Sequence, residues 1–235
     1  MPVPSLYQQD KSILKKVCAI RDYMKTKQIE RLFQYKKECD YVSIMFNTTP
    51  SPDGAMGMFL LLERKKLSLT PNDPIEKLLI FKTNISHIEE EIKKKQQTFS
   101  NMYGQRQRLQ EYFEFYTYLI LESCNLNPTP PENINDYDFL ININGNNIAI
   151  EVKSDKWIET GNLALELLRN YEVEDCKNNI KNMGSILKSK ADYWQEYFYN
   201  EKTREVETEI YKLTVLQFHT KKTIDCLIQK LKITI

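Results

Sequence analysis

Tyr137-Asp138-Phe139-Leu140-Ile141-Asn142-Ile143-Asn144-Gly145-Asn146-Asn147-Ile148-Ala149-Ile150-Glu151-Val152-Lys153 alternates apolar and polar residues on both sides of one Asn-Gly step. A period of two is the side-chain spacing of a half-buried strand. Asn144-Gly145 supplies two residues that accept positive φ, which a two-residue hairpin turn requires. Two strands are therefore expected, Tyr137–Ile143 and Asn147–Lys153. On the second, Ile148, Ile150 and Val152 share one face, and Ala149, Glu151 and Lys153 share the other. Glu151 and Lys153 then project side by side, about 7 Å apart along the strand. Folding at the turn brings Asp138 slightly beyond Glu151, near Lys153. Asp136 has the same parity and is a rival; Asp138 is preferred because it abuts the apolar strand directly.

Two carboxylates with the Val152 carbonyl between them form a set of hard oxygen donors suited to Mg²⁺ or Mn²⁺. Such an ion polarises a phosphodiester. A lysine beside it offsets charge in the transition state or orients the attacking water. As a solvent-facing ion pair, Glu151 and Lys153 would contribute only roughly 0–1 kcal/mol.

Upstream, a helix is expected over Arg106–Cys124, with an aromatic face formed by Leu109, Tyr112, Phe113, Tyr116, Leu119 and Ile120. Pro128, Pro130 and Pro131 mark a connector after it. Earlier still, helical spacing runs from Ser12 to Tyr35, and Tyr41–Phe46 and Met58–Glu63 read as strands across a loop at Asn47–Gly57. Pro71 and Pro74 punctuate the next stretch, and Pro74 opens a short helix. Ser86 with Glu89 reads as a capping box for a helix reaching about Ser100. Downstream, Leu163–Leu168 is a third apolar run. Ser189–Tyr199, with Tyr193, Trp194, Tyr197 and Phe198, reads as a helix. Glu209–Phe218 reads as a strand, and Thr220–Ile235 mixes both signals.

Asp138, twelve residues, then Glu151-Val152-Lys153 resembles the PD-(D/E)XK nuclease superfamily, with Tyr137 in place of the proline. The resemblance implies a restriction-endonuclease-like α/β (α+β) core: a helix, a three-stranded antiparallel meander, a helix and a final strand. The mixed central sheet would be flanked by helices and preceded by an N-terminal α/β extension. Gly161-Asn162-Leu163 leading to Glu166, and Lys190-Ala191-Asp192-Tyr193-Trp194, are similar to segments of phage and viral members. The resemblance covers about residues 105–220. It implies Asp138, Glu151 and the Val152 carbonyl as metal ligands, Lys153 as the catalytic lysine and Glu166 as a further acid. It also implies Lys190 or Asp192 at the helix closing the site, and Glu111 or Glu114 as an acid from the first helix; the sequence does not choose within either pair. A nuclease domain over 101–235 comes after an accessory region over 1–100.

Composition agrees with a folded chain. Apolar residues are 41% of the 235 and charged residues 28%. No apolar run approaches the ~18 residues of a membrane span. The start carries no secretory pattern, so an intracellular protein is expected. Five well-separated cysteines without a Cys-x-x-Cys pair argue for reduced thiols rather than a zinc site or a disulfide scaffold. Lys and Arg number 17 against 12 acids in residues 1–100, and 16 against 20 afterwards. The basic face with Lys11, Lys15, Lys16, Arg21, Lys25 and Lys27 is either a phosphate-binding surface or an ordinary solvated face. The expected function is a Mg²⁺- or Mn²⁺-dependent DNA endonuclease with no membrane association; a homodimer is among the assemblies the resemblance allows. An RNA endonuclease and a non-catalytic nucleic-acid-binding protein on the same fold are the alternatives.

Overall fold

A computed structural model describes residues 3–33, 41–47, 56–64, 67, 74–104, 108–131, 136–155 and 161–235. In chain order the elements are α1 (Leu6–Gln9), α2 (Ile13–Thr26), β1 (Arg31–Phe33), β2 (Tyr41–Phe46), β3 (Met58–Glu63), α3 (Pro74–Leu79), β4 (Lys82–Asn84), α4 (Ile85–Lys94) and α5 (Gln96–Tyr103). They continue with α6 (Leu109–Ser123), β5 (Phe139–Ile143), β6 (Asn146–Asp155), β7 (Asn162–Leu168), α7 (Ser185–Lys188), β8 (Tyr193–Tyr199), β9 (Glu205–Lys212) and α8 (Leu213–Lys230). Helices and two sheets make a mixed α+β protein. The expected loop at Asn47–Gly57 lies, over 48–55, outside the described residues, as do Pro71, Arg106 and Thr160.

The chain divides into two compact units. The first holds Ser68–Gly161 and Lys190–Leu213; the second holds Pro4–Leu67, Asn162–Ser189 and Thr214–Ile235. The boundary expected near residue 100 is not where this division falls, because α3, β4, α4 and α5 belong with the hairpin.

In the first unit the sheet order is β4-β9-β8-β6-β5. β6 and β8 are parallel and the other neighbours antiparallel. The hairpin forms as its residues dictate. Asn144 and Gly145 take φ of 52° and 81°, the left-handed pair of a type I′ turn. Phe139 pairs with Ile150 and Ile143 with Asn146. One face of the sheet carries Ile150, Val152, Tyr197 and Ile210 into the same core as Phe113 of α6. Phe113 stacks on Tyr197 at 4.5 Å between centroids. Phe115 on another side of α6 meets Phe99 of α5 edge-on at 5.2 Å. Each such buried side chain stabilises by about 1.5–3 kcal/mol, more than any surface ion pair on these elements. The polar groups in this core are paired: Thr117 contacts Gln195 at 2.9 Å and Tyr197 at 2.7 Å, and Gln195 donates to the Leu79 carbonyl.

Several expectations are corrected. Tyr193–Tyr199 is strand β8, not a helix. It lies between β6 and β9 and is buried on both faces, so its aromatic run has no strand alternation to read. The third strand of the expected meander, Leu163–Leu168, pairs instead with β3 in the second unit. Glu209–Phe218 is split, with β9 ending at Lys212 and α8 running on to Lys230. The helix beginning at Ile13 stops at Thr26, and Arg31–Phe33 is a strand. Asn84, not Ser86, caps α4, accepting from the Ser86 N–H.

In the second unit the sheet order is β1-β2-β3-β7, all antiparallel, and includes the expected β2–β3 hairpin. α2 buries Ile13, Leu14, Val17, Ile20 and Met24. Cys18 on α2 is joined to Cys176 by a disulfide with a Cα–Cα distance of 5.9 Å, within the usual range. This corrects the expectation of reduced thiols; the partners are 158 residues apart in sequence. The basic residues of α2 are largely engaged within the unit. Lys16 pairs with Asp10 and Asp225, Lys25 pairs with Glu172, and Arg21 donates to the Val173 carbonyl. Among the described residues, no helix is long and apolar enough to cross a membrane.

Candidate metal centre beside the end of a hairpin

β5 pairs with β6 as far as Phe139 opposite Ile150, while β6 runs on to Asp155. The backbone of Val152, just past that last pair, is met by side chains. Its N–H donates to Asp138 Oδ2 at 2.7 Å. Its carbonyl accepts from Gln110 Nε2 at 2.8 Å and from Lys153 Nζ at 3.0 Å. Gln110 and Glu114 come from α6, one turn apart.

Lys153 Nζ lies 2.5 Å from Glu151 Oε1 and 3.6 Å from Asp138 Oδ2. One ammonium thus touches the Glu151 carboxylate and the Val152 carbonyl, with the Asp138 carboxylate close by. Burial works against this charge, but Asp138, Glu151 and Glu114 outweigh it and push the Lys153 pKa above its ordinary value. Burial first, then the charge of Asp138, pushes the Glu114 carboxyl up to about 7, against the hydrogen bond from Gln110 and the charge of Lys153. Burial first, then the charges of Glu114 and Asp138, push the Tyr103 phenol well above its ordinary value.

The donor set suits a hard divalent ion. Among the described residues no three His, Cys, Asp or Glu side chains group to hold a metal. Two carboxylates and a carbonyl are nevertheless the kind of partial shell on which Mg²⁺ keeps several waters. The Lys153 ammonium is a cation already resting on these oxygens.

The sequence-derived residues separate clearly. Asp138, Glu151, Val152 and Lys153 come together, with Glu114 beside them. Asp136 is instead paired with Lys190 at 2.8 Å. Glu111 caps its own helix, accepting from the Arg108 N–H at 2.6 Å, so of the two α6 acids only Glu114 faces the cluster. Asp192 accepts from the Ala149 N–H at 2.8 Å and ties the start of β8 to β6; burial raises its pKa despite that bond. Lys190 and Asp192 therefore sit before a strand, not at a helix start. Glu166 stands on β7 in the second unit, opposite Phe59, and accepts from the Ser185 N–H at 3.2 Å.

Sequence reasoning missed Gln110, Tyr103 and the row across the sheet behind Lys153. In register, Lys153 lies opposite Glu196, and Glu196 opposite Glu209. The Trp194 ring lies 5.9 Å from Lys153 Nζ, and its indole N–H donates to Glu196 at 2.7 Å. The only sequence signal for Gln110 was its place four residues before Glu114. Compared with protein families, curated proteins and solved structures, the chain matches none.

Proposed function

We propose that the chain is a metal-dependent nuclease, an Mg²⁺- or Mn²⁺-requiring phosphodiesterase acting on nucleic acid, with DNA the first substrate class. One observation carries this reading. Asp138, Glu151 and the Val152 carbonyl surround a single cation, the Lys153 ammonium, beside the end of the β5–β6 hairpin. A helix, a hairpin bearing Asp and Glu-x-Lys, and a parallel strand next to it also agree with a restriction-endonuclease-like core.

In this reading Asp138, Glu151 and the Val152 carbonyl would hold the divalent ion, and the ion would supply Lewis acidity toward a phosphodiester oxygen. Asp138 also fixes the Val152 peptide through its N–H, so ligand and strand are set together. With an ion on those oxygens, the Lys153 ammonium would be free to offset the charge that develops on the phosphate. Glu114 stands at the side of the same centre and would accept a hydrogen bond, or the proton, from an attacking water. Labelled DNA incubated with the full chain and Mg²⁺ or Mn²⁺ tests this, with a chelator as control. Metal-dependent strand cleavage is expected, and its absence on DNA and RNA alike contradicts the reading.

A second reading, a non-catalytic nucleic-acid-binding protein, is favoured by one observation: the carboxylates and the Val152 carbonyl are already satisfied by Lys153 and Gln110. It predicts salt-sensitive binding without cleavage.

A further inference from the structure

Gln110 commits its whole amide to the candidate centre. Its Nε2 donates to the Val152 carbonyl at 2.8 Å and to Glu114 Oε1 at 2.8 Å. Its Oε1 accepts from Ser154 Oγ at 2.8 Å. Two acceptors at one end and a hydroxyl at the other leave one orientation for the amide. Turned over, the amide would set its carbonyl oxygen against the Val152 carbonyl and the Glu114 carboxylate.

The bonds hold both backbone groups of one residue, Val152, in two successive peptides. Asp138 takes the Val152 N–H, Gln110 takes the Val152 carbonyl, and Ser154, two residues further along β6, fixes the amide that does so. Gln110 is anchored on α6, which belongs to the same core as β6. A carbonyl oxygen has two lone pairs; here they accept from Gln110 and from Lys153, and displacement of the Lys153 ammonium would give an ion the second direction while Gln110 keeps the first.

We propose that Gln110 is a positioning residue for the cation site: with Ser154 as its anchor, it aims the Val152 carbonyl and holds the Glu114 carboxylate toward the same point. This deepens the nuclease reading and rests on it. The amide acts through the Val152 carbonyl and the Glu114 carboxylate, and its contribution is to the affinity for the ion. Partners of this kind typically set metal affinity within about 10–100-fold.

The test is calorimetric titration of the full chain with MnCl₂, comparing wild type, Gln110→Met and Ser154→Ala, with the metal-free melting temperature of each recorded. Methionine keeps the volume of the glutamine and removes its donors. Gln110→Met is expected to weaken Mn²⁺ binding at least tenfold, and Ser154→Ala to weaken it by a smaller factor, with metal-free melting close to wild type. A merely structural role would lower the melting temperature and leave Mn²⁺ affinity intact. Equal affinity in wild type and Gln110→Met overturns the role of Gln110 and leaves the metal site standing. No Mn²⁺ binding by wild type overturns both. If Gln110→Met fails to fold, Ser154→Ala decides: unchanged affinity there overturns the proposal and reduced affinity supports it.

Discussion

Lys153 Nζ lies 2.5 Å from Glu151 Oε1, two residues away on the same strand. Side chains at i and i+2 on a strand share a face, so the contact follows directly from the Glu-x-Lys spacing. The lysine therefore competes with any divalent ion for that carboxylate. Replacing it with methionine is expected to leave Mn²⁺ binding as tight as in wild type or tighter, while cleavage falls at least about 100-fold through lost charge stabilisation. Parallel Mn²⁺ titration and cleavage assays check this; weaker Mn²⁺ binding in Lys153→Met would run against the competition.

Asp138 and Glu151 carry the opposite expectation. Asp138→Asn keeps an acceptor for the Val152 N–H, so folding is preserved while a charge is lost. Mn²⁺ affinity is expected to fall at least about tenfold in Asp138→Asn and in Glu151→Gln, because hard ions depend on carboxylate charge. Calorimetry measures it, and unchanged affinity in both variants would remove these residues from the site.

Gly184 is fixed by close approach rather than by its torsions. A Cβ there would stand 2.0 Å from the Glu166 carbonyl oxygen of β7. The obstacle is backbone, so relief requires moving a strand. Gly184→Ala is expected to destabilise the second unit by about 2 kcal/mol or more. Denaturant unfolding reads this, and a wild-type midpoint would contradict the packing described.

The Cys18–Cys176 bond predicts two fewer titratable thiols in denaturant before reduction than after it. Breaking it is expected to cost about 2–5 kcal/mol. Thiol counting with thermal melts, with and without dithiothreitol, examines both; equal thiol counts would show that the bond is absent.

Asp10 gives a pH dependence. Burial favours the neutral acid, but hydrogen bonds from Ser12 and Lys16 hold its pKa down to about 2. A folded pKa below the unfolded value means stability present above about pH 4 and lost as pH falls through 2. The displacement corresponds to about 2 kcal/mol at pH 7. Asp10→Asn should be less stable than wild type by about that amount at pH 7, the gap closing between pH 4 and 2. A gap that persists at pH 2 would assign the effect to packing.

The hairpin and its charged face were legible because their causes are local: the period of two, the Asn-Gly turn and the Glu-x-Lys spacing all act within seventeen residues. β8 was not, because a strand covered on both faces buries Gln195 and Glu196 along with its aromatic residues and so shows no period of two. The partner of Leu163–Leu168 was not, because pairing with β3 is settled by tertiary packing about a hundred residues away. The expected order of one hairpin and a third meander strand placed Glu166 beside the site; in the structure its carboxylate answers to Ser185. Gln110 was hidden for a similar reason, since a glutamine on an aromatic helix signals nothing until the Val152 carbonyl is folded against it.

The most direct measurement is cleavage of labelled single- and double-stranded DNA and RNA by wild type and Lys153→Ala, with Mg²⁺, Mn²⁺ or EDTA. The account predicts cleavage by wild type with metal, none with EDTA, and a loss of at least about 100-fold in the variant. No cleavage of any substrate by wild type, or full activity in Lys153→Ala, would contradict it.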